Sequence, residues 1–151
     1  IIGRLLENEG IEKPVNVLEL IILGMFIVTE AYTLANKGLD KASPQLDQFH
    51  LAMVNYVTNE YFLKGTTSKD TNDIIEFHDQ FYDVVGSRYS EYRQLFVEDL
   101  INPATVFSKS LDAFINHLFV EPISEDNKPY IIVPMAIKLA EFYTGCLQSF
   151  E

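Results

Sequence analysis

The sequence predicts an all-α fold: a single-domain bundle of about five helices, with a hydrophobic first helix at its centre. Three observations lead there. Residues 20–28 (Leu-Ile-Ile-Leu-Gly-Met-Phe-Ile-Val) are nine apolar residues bracketed by Glu19 and Glu30, and a helix apolar on every side must be surrounded. Between Gly and Pro punctuation, apolar residues recur at three- and four-residue steps, the helical period. No segment shows the strict alternation of a half-buried strand. The 151 residues suit one domain, 1–151, and 48% hydrophobic residues supply a core without disulfides or metal.

Helix one is expected from about Val15, just after Pro14, to Lys37, with Gly38 supplying the left-handed residue that ends it. Residues 1–9 have room for a short helical turn closed by Gly10, within a loosely packed N-terminal segment, 1–13. Ser43-Pro44 opens helix two, a Ser cap followed by Pro where its missing N–H costs nothing. Leu46, Phe49, Met53, Tyr56, Val57 and Tyr61 then form an amphipathic stripe up to Gly65. After a polar loop at 66–71, helix three runs to about Leu100 on the seam Ile74, His78, Phe81, Val85, Arg88, Tyr92 and Leu95. Its opposite face, from Asp73 and Glu76 to Gln94 and Glu98, is a solvated acidic ridge.

Asn102-Pro103 opens helix four, with Phe107, Leu111, Phe114 and Leu118 one above another and Pro122 closing it. A linker at 124–129 leads to 130–133, read as extended because Pro134 removes a helical hydrogen bond and disfavours helical geometry at its predecessor. Helix five then starts near Pro134 and buries Met135, Leu139, Tyr143, Cys146, Leu147 and Phe150; one longer helix kinked at Pro134 is the alternative.

Twenty-two acids against eleven bases give a formal charge of −11 and no Lys/Arg patch, which disfavours nucleic acid and anionic membranes. Only ten residues separate Glu19 from Glu30, about half of what a membrane span needs. The opening Ile-Ile-Gly-Arg lacks a basic leader region, and the apolar run lies too deep for a secretory signal. A chain that starts without Met is expected to be a piece of a longer protein. The lone Cys146 cannot pair within the chain, which favours a reducing, cytoplasmic setting, and its apolar neighbours make it a small core residue.

Candidate chemistry is sparse. Asp47 and His50 lie three residues apart on one helical face, and His78 sits between Glu76 and Asp79; Asp47, His50 and His78 are the candidate metal ligands. The Glu-x-x-His pair of a carboxylate-bridged bundle is missing, so half-buried imidazoles bonded to neighbours are the plainer expectation for His50, His78 and His117. Arg88 falls on the seam of helix three, where an unpaired charge costs several kcal/mol, so it needs a carboxylate; Glu30 and Glu60 are the expected partners. A pocket in which Arg88, Tyr89, Tyr92 and Arg93 hold an anionic ligand is the competing role. No nucleophile elbow, dinucleotide or phosphate loop, Cys-x-x-Cys or His-Glu-x-x-His is present, and no cofactor is implied.

The protein is accordingly expected to be a non-enzymatic helical interaction domain, pairing with itself or docking a protein partner, since its aromatic-rich helices exceed what a small core consumes. A small-ligand sensor or carrier with an apolar interhelical pocket is the first alternative. A metal-dependent enzyme built on the histidines and carboxylates is the second.

Overall fold

The computed structural model describes residues 15–64, 70–101 and 108–150, with backbone alone for 97–101 and 108. They form an all-α bundle: α1 (Val17–Ala35), α2 (Leu39–Val57) continuing into a π-helical segment (Thr58–Leu63), α3 (Thr71–Ile101), α4 (Ser108–Leu118) and α5 (Lys128–Phe150). No strand occurs among the described residues. A single antiparallel bridge, Val15 to Phe119, ties the approach to α1 onto the exit of α4, where the Asn16 N–H donates to the Leu118 carbonyl at 2.7 Å. The expected N-terminal segment 1–13, the opening of helix four at Asn102-Pro103 and Phe107 lie outside the described residues.

Helix α1 is the centre of the bundle, and every other helix packs on it. Ile22, Leu23, Met25, Phe26 and Ile27 are at most 2% exposed, while Leu20, Ile21, Gly24 and Val28 are half-buried. Its start is capped by the Asn16 side chain, which accepts from the Leu18 N–H at 3.1 Å. By length and composition alone α1 and α5 are apolar enough to cross a membrane, even with two glutamates in α1. The ten-residue count between Glu19 and Glu30 therefore does not exclude a span. In this fold α1 is instead covered by protein, and both glutamates are ion-paired to α3.

Helix α1 ends at Ala35, two residues before the expected Lys37, and the left-handed turn begins one residue before Gly38. Lys37, at φ 59, takes the left-handed position, and Gly38 follows at φ 132. The Gly38 N–H reaches the Thr33 carbonyl and the Lys37 N–H the Leu34 carbonyl, each at 3.0 Å, the paired bonds of a Schellman ending. With Gly38 as cap, α2 begins at Leu39, so Pro44 lies inside the helix rather than at its first position. Pro44 forfeits one hydrogen bond near the exposed helix start, and burial of Ala42 (0% exposed) secures the added turn. Along α2 the buried stripe is Leu46, Val54, Val57 and Thr58, with Phe49 and Met53 half-buried. Tyr56 and Tyr61, expected in that stripe, are exposed.

Helix α3 buries Phe81, Val85 and Tyr92, and α4 buries Leu111, Phe114 and Leu118, as their spacing predicts; at the end of the α3 seam Phe96 is buried in place of the expected Leu95, which is half-buried. Helix α5 is the kinkable long helix of the alternative: it begins at Lys128, not near Pro134. The extra turns bury Ile131 (3% exposed), and Lys128 is tied to Asp112 at 3.0 Å and Glu125 at 2.8 Å. Pro134 deprives the Tyr130 carbonyl of its donor on a stretch where Tyr130 and Val133 face water, which can serve it instead. Beyond Pro134, Met135 and Leu139 are buried, Tyr143, Cys146 and Leu147 half-buried, and Phe150 exposed.

Candidate functional site at the junction of α1, α2 and α3

The polar groups singled out in the sequence converge where α3 crosses α1. Glu30 lies eleven positions, three helical turns, after Glu19, so both project from one face of α1 with Phe26 between them. Two one-turn pairs answer from α3: Arg88 with Tyr92, and Tyr89 with Arg93. The Arg88 guanidinium grips Glu19 through Nε, 3.1 Å from each carboxylate oxygen, and through Nη2, 3.0 Å from Oε1. Tyr92 approaches the same carboxylate more loosely, its hydroxyl 3.4 Å from Oε2. Arg93 Nε donates to Glu30 at 2.9 Å. Between the two ion pairs, Phe26 meets Tyr89, Tyr92 and Phe96 edge to face, at centroid distances of 5.6, 5.7 and 5.9 Å.

Arg88 thus has a buried carboxylate partner, but it is Glu19 and not Glu30 or Glu60. Glu30 takes Arg93, and Glu60 in the π-helical segment takes Lys64 on the surface. Glu19 is 3% exposed, so losing Arg88 would leave a buried carboxylate without its ion-pair partner. Burial works against the Arg88 guanidinium, yet the Glu19 hydrogen bonds and charge outweigh it and push its pKa up. Burial likewise pushes the Tyr89 and Tyr92 phenols up, with Glu19 adding to the effect at Tyr92.

A second polar cluster adjoins the first. His50 Nε2 lies 2.9 Å from Thr29 Oγ1 and 3.1 Å from the Tyr89 hydroxyl, and those two oxygens are 3.2 Å apart. The Thr29 hydroxyl sits 2.8 Å from the Met25 carbonyl and donates to it. With Thr29 donating to Met25, the short Nε2–Thr29 contact is a hydrogen bond when the proton is on Nε2. With the proton on Nε2, His50 donates to Thr29 and the Tyr89 hydroxyl is free to donate to the same oxygen.

Burial lowers the His50 pKa below its ordinary 6.5, opposed by the nearby Asp47 and assisted by Arg93. The unfolded chain therefore binds a proton more readily than the folded one. This contribution to stability is whole above about pH 6.5 and is lost as pH falls towards the folded pKa. We expect urea midpoints to decline between about pH 7 and about pH 5, and His50→Gln to flatten part of that decline. An unchanged slope in His50→Gln would assign the decline to other groups.

The candidate metal ligands do not form a metal centre. Asp47 and His50 share a face of α2 one turn apart, but Asp47 is exposed and His50 faces Thr29 and Tyr89. His78 points into a separate groove, its Nδ1 3.3 Å from Asp79, and His117 pairs with Glu91 at 2.8 Å. Among the described residues no three His, Cys, Asp or Glu side chains are grouped to hold a metal ion. Burial pushes the Cys146 thiol up, away from nucleophilic thiolate character. Thr33 Oγ1 is the one buried side-chain polar atom without a partner among the described residues.

Open grooves adjoin the bundle among the described residues. An apolar one holds about 200 Å³ between Val28, Tyr32, Leu46, Phe49 and Phe150, below the roughly 300–1,000 Å³ of ordinary ligand pockets. One of about 440 Å³, with Ile74 and Ile75 in its wall, lies between α2 and α3, and one of about 600 Å³ lies beside His117. Arg88, Tyr89, Tyr92 and Arg93 are all brought to one junction, as an anion site requires, but each is engaged by a protein group. Sequence reasoning missed Glu19 and Thr29; the eleven-residue spacing of Glu19 and Glu30 is the signal that points to the first. Comparison with protein-family models, curated proteins and solved structures gave no match to this chain.

Proposed function

We propose that this protein is a non-enzymatic helical association domain that pairs with a second copy of itself through the outward face of α5. The observation that carries this is a stripe on that face. Tyr130, Val133 and Ile137 recur at helical spacing and are 72%, 58% and 55% exposed, although each is large and apolar. Charge supports the same face. Two copies at −11 each repel, whereas α5 carries only Lys128, Lys138 and Glu141, with Lys138 and Glu141 already paired at 2.8 Å. The polar groups at the α1–α3 crossing serve as its internal clamp, and the enzyme and carrier alternatives have less to stand on.

Light scattering coupled to sizing chromatography tests this. A dimer is expected at about 50 μM, with Val133→Glu and Ile137→Glu together converting it to a monomer of unchanged helicity. A strictly monomeric wild-type protein at that concentration removes self-pairing.

A further inference from the structure

We infer that the groove between α2 and α3 docks a basic amphipathic helix from another protein. The two helices run antiparallel here, as Phe62 stacks on Phe77 at 4.8 Å and His50 meets Tyr89 at 5.2 Å, ring centroid to ring centroid. Between them lies a trough of about 440 Å³ walled by Asn55, Thr58 and Asn59 on one side and by Ile74, Ile75, His78 and Asp79 on the other. The wall on α2 includes the first turn of the π-helical segment, whose wider winding is often found at binding surfaces.

Apolar anchors flank the trough. Ile75 and Tyr82, two turns and about 10 Å apart on one stripe of α3, are 53% and 55% exposed. Leu51, one turn before Asn55, is 53% exposed. Anchors at this spacing match the first and eighth residues of a docked helix, and a groove between two antiparallel helices is the shape a third helix fills.

Charge names the partner. Residues 42–63 and 70–87 contain no Lys or Arg and carry Asp47, Asp70, Asp73, Glu76, Asp79 and Asp83 besides Glu60, which Lys64 neutralises at the end of α2's π-helical segment. Asp79, Glu76 and Asp83 lie along the Ile75–Tyr82 stripe, so apolar anchors sit beside carboxylates. The complementary ligand is a helix with Leu-type residues on one face and Lys or Arg beside them. A second copy of this chain does not qualify, because it has no basic patch to present. The docking groove is independent of self-pairing through α5.

The test uses a labelled synthetic helix of about 16 residues, Leu on one face and Lys on the other, titrated into the whole protein and read by fluorescence anisotropy. Saturable binding is expected, weakened about tenfold or more by Ile75→Ser with Tyr82→Ala, and also by Asp79→Asn with Asp83→Asn. The second pair should in addition reduce the salt dependence. All four substituted residues are exposed, and circular dichroism checks that the fold is retained. Ile137→Glu should bind the probe as the wild type does, which separates this groove from the α5 face. Absence of binding overturns the inference. So does binding that resists both pairs of substitutions, or binding lost on Ile137→Glu.

Discussion

Arg88→Leu is expected to destabilise the protein by about 3 kcal/mol, and adding Glu19→Leu to it should recover most of that loss. The reason is asymmetric. The single substitution leaves the Glu19 carboxylate, 3% exposed, with only the long Tyr92 contact at 3.4 Å. Breaking a buried pair costs about 3–5 kcal/mol, and the 22% exposure of the Arg88 side chain places this one at the lower end. The double substitution removes both charges together and fills the space with apolar volume. Urea unfolding of the four proteins measures the cycle. Against a total of about 5–15 kcal/mol for a domain, the single loss is readily seen. An Arg88→Leu protein as stable as the wild type would show that the ion pair is not a structural clamp and would reopen the anion-binding role of Arg88, Tyr89, Tyr92 and Arg93.

Phe26→Ala should cost about 4 kcal/mol, the usual scale for deleting a buried ring, and Phe26→Leu about 1.5 kcal/mol. Phe26 is 1% exposed and touches three rings of α3 edge to face. Leu keeps most of the volume but loses the favourable ring geometry, each such pair adding roughly 0.5–1.5 kcal/mol beyond area. The expected difference between the two variants therefore reports mainly the cavity, and the Leu deficit mainly the rings. Thermal and urea unfolding of both proteins check this. Equal losses in the two would show that volume contributes nothing beyond ring contact, contrary to this packing.

The two variants probe neighbouring parts of one crossing, so their effects are not expected to add. Tyr89 and Tyr92 each touch Phe26 and also serve a polar group, Tyr89 at Thr29 and Tyr92 at Glu19. Rigid rings hold the hydroxyls where the polar partners need them, and the ion pairs hold α3 against the rings.

Much of the bundle was legible from residue spacing alone. The seam Phe81, Val85 and Tyr92 and the stack Leu111, Phe114 and Leu118 are buried as read, because a helix's periodicity is a local property. The three histidines behave as half-buried imidazoles with neighbouring partners, the plainer of the two expectations. The limits of α2 and α5 were not legible. Pro44 and Pro134 each look like a helix start, and each is carried inside a helix because burying Ala42 or Ile131 outweighs one lost hydrogen bond. That outcome depends on what the extra turn packs against, which no local rule contains.

The same division separates the residues of the junction. Sequence by itself determined that α1 must be enclosed, that Arg88 on an apolar seam must find a carboxylate, and that the surface is strongly acidic. Each follows from the cost of exposing apolar area or of burying an unpaired charge, whatever the neighbours are. Only the tertiary structure decided that the carboxylate is Glu19, that Glu30 goes to Arg93, and that Thr29, His50 and Tyr89 meet. Those pairings are set by the crossing of α1 and α3 and by how far each helix is turned about its axis. Both are fixed by the packing of the whole core around Phe26, which no single segment encodes.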